Sequence, residues 1–198
     1  MAYIFQQISD RGTSEGITPN STQDARDWYR DAASQVASVN TNRLMNDKQN
    51  VVPSLTIKNI GQMFMFFYDP KMKDILPYYD IFPLMFLVDF QPNGFLGINL
   101  HYLPTYYRAQ LMNGLYSIAS DDKYDDNTRL KISYKLLKSA SQLSNFSPCL
   151  KRYLWSNVQG QFLNVQPKNW DTALMLPTER FKKATKSRVH NDSVKALQ

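Results

Sequence analysis

The chain has 198 residues, with 23 Lys+Arg against 17 Asp+Glu and a net charge of +6, which is one domain's worth of chain. Apolar residues at 43% and aromatics at 13% exclude a disordered protein, and the lone Cys149 excludes both an internal disulfide and a cysteine-based zinc site. No stretch approaches the roughly 18 apolar residues of a membrane span, and Met1–Gln7 lacks the basic-then-apolar pattern of a secretory leader.

Residues 1–23 are polar and punctuated by Gly12, Gly16 and Pro19, with Tyr3, Ile4, Phe5, Ile8 and Ile17 to bury. They read as an extended arm. From Ser21 or Thr22, either able to cap a helix, apolar residues fall at Ala25, Trp28, Tyr29, Ala32 and Val36, which predicts a helix over about 23–39. The polar stretch Asn40–Asn50 reads as a linker or a strap laid over another surface.

From Gly61 the texture becomes dense aromatic and Met residues in short runs. Met63–Tyr68 and Pro83–Phe90 read as strands. Pro92-Asn93-Gly94 supplies a tight turn, and Phe95–Tyr102 returns as the second strand of an antiparallel hairpin. In that returning strand Leu96, Ile98, Leu100 and Tyr102 share the face expected in the core.

After Pro104, the spacing of Tyr107, Leu111, Leu115 and Ile118 predicts a helix over roughly 104–118. An acidic turn, Asp121–Asn127, precedes a second helical pattern from Leu130 to Leu143, and Pro148 opens a third candidate helix through Leu150, Tyr153, Leu154 and Val158. Gln161–Val165 and Thr172–Leu176 read as two further strands. Three strands, three helices and two strands predict an α+β fold: a small SH3-like antiparallel barrel or bent sheet with a three-helix insertion, plus an extended N-terminal arm carrying one helix. The expected divisions are an arm over 1–50, a compact α+β domain over 51–178 and a basic C-terminal tail over 179–198. Within that tail Arg180, Lys182, Lys183, Lys186, Arg188 and Lys195 face only Glu179 and Asp192, so two thirds of the net charge sits there.

Chemistry-bearing motifs are sparse. His101 and His190 form no metal-ligand spacing and read as hydrogen-bonded structural residues. The Asp121, Asp122, Asp125 and Asp126 cluster fails as a calcium loop, because its sixth position is Asp126 instead of Gly and its twelfth is Ile132 instead of Glu. No phosphate-binding glycine loop or nucleophile elbow occurs. Cys149 reads as a packed thiol, and Asp69, Asp80 and Asp89 as turn-closing carboxylates, with a metal-dependent nuclease as a third-ranked reading. No cofactor and no metal are expected. The aromatics Phe64, Phe66, Phe67, Tyr68, Tyr78 and Tyr79 read first as core and second as base-stacking residues, with Lys58, Lys71 and Lys73 beside them. The basic tail suits contact with phosphates or with an acidic neighbour.

Four segments together resemble small structural proteins of T4-like tailed phages and cyanophages: Met63–Pro83 (MFMFFYDPKMKDILPYYDIFP), Asn93–Pro104 (NGFLGINLHYLP), Pro148–Leu154 (PCLKRYL) and Leu176–Phe181 (LPTERF). The family they resemble is labelled DNA end protector. That resemblance implies a protein at the terminus of the packaged genome, near the head–tail junction, with a tail or baseplate component as the competing assignment. It carries over no catalytic residue, and Val189–Asp192 departs from the tryptophan-containing pattern expected there.

The sequence is therefore expected to encode a non-enzymatic virion protein of a contractile-tailed phage, made in the host cytoplasm. It would assemble with other virion proteins at the tail, baseplate or head–tail junction, or cap the packaged DNA end. Tyr3, Ile4, Phe5, Trp28 and Tyr29 are the expected partner-binding residues. Arg180, Lys182, Lys183, Lys186 and Arg188 are the expected contacts to DNA or an acidic partner, and no membrane contact is expected.

Overall fold

The computed structural model describes residues 4–119 and 148–197. Six strands form one antiparallel sheet: β1 (Val51–Val52), β2 (Met63–Tyr68), β4 (Leu84–Gln91), β5 (Gly94–Asn99), β6 (Leu150–Leu154) and β7 (Val158–Val165). Their order across the sheet is β1-β7-β2-β4-β5-β6. Two further strands, β3 (Tyr79–Asp80) and β8 (Phe181–Lys182), pair with each other. The helices are α1 (Ile4–Ser14), α2 (Gln23–Ser34), α3 (Thr41–Leu44), α4 (Thr105–Ala119), α5 (Trp170–Met175) and α6 (Lys186–Leu197). Mixed α+β architecture is thus borne out; the sheet is bent and open, so the closed-barrel alternative is not realised.

Two cores explain the bend. Along β2, Met63 and Met65 pack toward the helices while Phe64, Phe66 and Tyr68 pack on the other face, as strand alternation requires. The second face carries a small aromatic core, in which Phe66 meets Phe95, Tyr153 and Phe162 with ring centroids 5.8, 5.2 and 5.0 Å away. Register shifts between Met65 and Phe67 and between Leu87 and Asp89 add local twist, which curls the sheet around these rings. Phe95 shows the consequence for sequence reading, because the face opposite Leu96 and Ile98 is buried as well.

The β4–β5 hairpin forms as the turn chemistry predicts. Gln91 pairs with Gly94 across a two-residue loop, with Asn93 at φ 63 taking the left-handed position. Gly94 itself is required by close approach, since a Cβ there would strike the Tyr153 carbonyl of β6.

Three elements differ from the expected ones. Pro148–Val158 is not a helix: Leu150–Leu154 pairs antiparallel with β5, and its 150/153/154 apolar spacing mimics a helical face only by coincidence of a short run. Thr172–Met175 belongs to α5, with Leu176 as its C-cap, and not to a strand. Pro167 opens the preceding 3-10 turn, and Asp171 is fixed by Arg30 of α2 at 2.7 Å, so packing against α2 overrides β propensity. Residues 4–14 are helical where the sequence predicts extended backbone, and α1 buries Phe5 and Ile8 against the core. The α2 and α4 helices stand close to expectation, with Thr22 accepting from the Ala25 amide at 3.1 Å as the α2 N-cap. The helix expected from Leu130 to Leu143 and the acidic Asp121–Asn127 turn lie outside the described residues.

Docking of α1 has a direct test. Phe5→Ala removes a nearly buried ring and is expected to lower the unfolding free energy by about 3 kcal/mol, measured by urea denaturation; an unchanged midpoint would mean α1 is not part of the core.

Candidate nucleic-acid interface

The open seam of the sheet is the place to look for a site. Beyond the outer edge of β6 there is no strand partner among the described residues; the Leu154 amide donates instead to the Tyr68 hydroxyl at 3.1 Å. The loop 70–78 and the short strand β3 stand across this seam. Between them lies a cleft of about 390 Å³. Tyr68, Tyr102 and Tyr153 are buried at its base, and Tyr78 and Tyr79 stand half-exposed along its wall.

Cations border these rings. Lys151 holds its ammonium 4.0 Å from the Tyr102 ring centre, within cation–π range, and burial pulls its pKa down. Lys71 and Arg152, both exposed, complete the lining on either side, and Arg152 donates to the Pro92 carbonyl at 2.8 Å. On the far wall Tyr79 pairs with Lys182 across the β3–β8 ladder, which brings the basic C-terminal segment to the cleft's edge.

A buried polar network fixes that wall. Burial alone would raise the Asp80 carboxyl, but the His101 charge and hydrogen bond, with the Phe82 amide and the Asn99 side chain, lower it. His101 Nδ1 therefore donates to Asp80 Oδ2, at 2.7 Å, and its Nε2 meets Thr178 Oγ1 at 3.0 Å. The order carboxylate–imidazole–hydroxyl resembles a catalytic relay, yet His101 and Thr178 are fully buried, so it serves as a lock between β3, the turn after β5 and the segment before β8. Beneath it Arg108, also fully buried, donates to the carbonyls of Leu103, Leu174 and His101 and to Glu179 Oε1 at 2.6 Å. Burial raises the Glu179 carboxyl, but His101, Arg108 and Lys186 outweigh it and hold this group well below the usual carboxylate range.

The structure distributes the sequence-derived candidates unevenly. Phe5 and Tyr29 are core residues, Ile4 and Trp28 pack half-buried against that core, and Tyr3 lies outside the described residues. Trp28 is further tied down by Glu15, which accepts from its indole at 3.0 Å. Among the described residues Ile4, Phe5, Trp28 and Tyr29 form no exposed anchor, because the amphipathic α1 and α2 use them to close the fold. Arg180, Lys182, Lys183, Lys186 and Arg188 are all exposed, as a surface contact requires. Several are engaged within the chain: Arg180 donates to the Val39 carbonyl, Lys183 to the carbonyls of Lys73, Asp74 and Leu76, and Lys186 pairs with Glu179.

Of the aromatic candidates, Phe64 and Phe66 are core, Phe67 packs half-buried on Phe82, and Tyr68, Tyr78 and Tyr79 face the cleft. The carboxylates act separately: Asp69 pairs with Lys73 at 2.9 Å, Asp89 accepts from the Phe90 amide, and Asp80 belongs to the lock. Burial pushes the Cys149 thiol up to about 12, which keeps it protonated. Sequence reasoning misses Tyr102, Lys151 and Tyr153 as site residues. Reading 148–158 as a helix scatters Lys151 and Tyr153, whereas a strand places both on one face.

A family model described as Phage T4 terminal DNA protecting protein matches residues 6–195. The chain belongs to that family. The resemblance to DNA end protectors is borne out, and all four motifs that carry it lie inside the matched span. No curated protein and no solved structure gives a match to the chain. Among the described residues no helix is long and apolar enough to cross a membrane.

The Arg108–Glu179 cluster beneath the lock is testable by pH. With a folded pKa below the ordinary 4.5, Glu179 contributes stability that is complete above 4.5 and is lost as pH falls through the folded value. Glu179→Gln is expected to cost about 3 kcal/mol at neutral pH, and urea midpoints measured from neutral pH downward should show the gap to the parent protein closing below 4.5.

Proposed function

We propose that this protein binds the termini of packaged phage DNA as a non-enzymatic virion component, with the tyrosine-lined cleft and the cations around it as the DNA-facing surface. Membership of the DNA-end-protecting family supports the DNA partner. The single observation that carries the surface assignment is the convergence of Lys71, Lys151 and Arg152 on an aromatic cleft at the sheet's open seam, with Lys182 paired to Tyr79 of its wall. Cations steer and hold the backbone, and aromatic faces hold bases.

A binding role without chemistry is favoured by how the reactive groups are used. Asp80, His101 and Thr178 are committed to each other in the interior, and the Cys149 thiol is buried and protonated. Of the positions a tailed particle offers, the head–tail junction sets such a surface against a genome end, whereas a tail or baseplate position gives it no DNA to hold. Other virion proteins would flank it there.

Binding to a DNA duplex with one free end, followed across a salt series, tests this. The expected result is affinity that falls steeply with salt. Charge removal at Lys71, Arg152 and Lys182 together should make the slope shallower by about one for each phosphate that is no longer neutralised. Salt-independent affinity, or a slope unmoved by the triple change, would sink the proposal.

A further inference from the structure

The cleft is far smaller than a duplex. A volume of about 390 Å³ lies in the range of pockets that take one small ligand, about 300–1,000 Å³, so on a DNA end it has room for a single nucleotide swung out of the stack. Its walls fit the base of such a nucleotide. Tyr78 and Tyr79 are half-exposed and offer ring surface, while Tyr102 beneath them is held rigid, 4% exposed.

Its charge fits the phosphate. Lys151 is half-buried at the cleft, and among the described residues it has no carboxylate partner; its ammonium lies over the Tyr102 ring. A partly desolvated cation without a counter-charge is left under-compensated, and an anion entering the cleft would supply the missing charge. Asp80, which also lines the cleft, does not offer its own charge for this purpose, since its oxygens are turned to His101, Asn99 and the Phe82 and Arg180 amides.

The floor limits what the cleft can read. Asn99 is the one side-chain amide there. Its Nδ2 donates to Asp80 and its Oδ1 accepts from the His101 amide. With that amide occupied, the half-exposed rings of Tyr78 and Tyr79 are the main surface offered to a base, and stacking on them tolerates any base.

We infer that the cleft receives one unpaired nucleotide at a DNA terminus, its base against Tyr78 and Tyr79 and its phosphate near Lys151, without preference for base identity. This rests on the DNA-end reading above.

The experiment compares full-length protein binding to three hairpin-closed duplexes with one open end each: blunt, bearing one unpaired nucleotide, or bearing one abasic nucleotide. The expected result is about tenfold tighter binding of the single-nucleotide overhang than of the blunt end, a similar advantage for all four bases, and little advantage for the abasic overhang. Tyr78→Ala with Tyr79→Ala should bring the overhang-to-blunt ratio close to one, and Tyr78→Phe with Tyr79→Phe, which keeps both rings, should retain it. Lys151→Met should reduce the ratio and Lys151→Arg restore it.

Salt-dependent binding with equal affinity for blunt and overhanging ends would overturn the cleft assignment and leave the DNA-end reading standing. An abasic overhang binding as well as a base would overturn the stacking role. A free mononucleotide competing as well as the overhang would overturn the assignment to a strand end. Failure to bind any of the three duplexes would remove the DNA-end reading and this inference with it.

Discussion

Arg108 is the constraint from which the site's geometry follows. A fully buried guanidinium is tolerated only when nearly every donor is met, and here three carbonyls and a carboxylate meet it. Those partners come from the turn after β5, the end of α5 and the segment before β8. One side chain therefore joins parts of the chain separated by more than seventy residues, and the penalty for breaking any one of these bonds makes the joint stiff. Glu179, held ionised by this cluster, in turn fixes Lys186 at the start of α6.

Stiffness at that point matters because the cleft is built across an open edge. A closed barrel would satisfy β6 with another strand; here Tyr68 replaces one hydrogen bond and the remaining gap becomes a concave aromatic surface. Its outer wall, β3, is two residues long and among the described residues pairs with the two residues of β8 alone. So short a ladder is marginal by itself. The Asp80–His101–Thr178 lock, resting on Arg108, supplies what the ladder lacks, and three carbonyls of the 70–78 loop gathered by Lys183 hold the rim.

Legibility follows the range of the forces involved. The β4–β5 hairpin is readable because Pro92-Asn93-Gly94 encodes its turn locally, and α4 because Pro104 and a 3.6-residue repeat do the same. The β6 strand is not: Pro148 and the 150/153/154 spacing imitate a helix, and only pairing with β5, some fifty residues away in sequence, decides the matter. Phe5 and Tyr29 read as partner-binding residues because nothing local reveals that α1 and α2 fold back onto the sheet. The cleft inherits these errors. Tyr78 and Tyr79 are visible as aromatic candidates, but Lys151 and Tyr153 join them only through the β5–β6 pairing.

Charge counting misleads for the same reason. The C-terminal segment carries most of the net charge, which invites assigning it the whole electrostatic role. Yet Lys186 is paired with Glu179, while Arg180 and Lys183 are engaged by backbone carbonyls. A cation already ion-paired gains less from a phosphate, since the old partner must be given up or its repulsion borne. Lys151 is the opposite case: among the described residues it has no carboxylate beside it, and in its half-buried setting its charge is screened less than that of a fully exposed lysine. Lys151 of β6 therefore acts beside the tail's own Lys182, unpaired among the described residues, and the electrostatic role is shared between the seam and the segment where charge is densest.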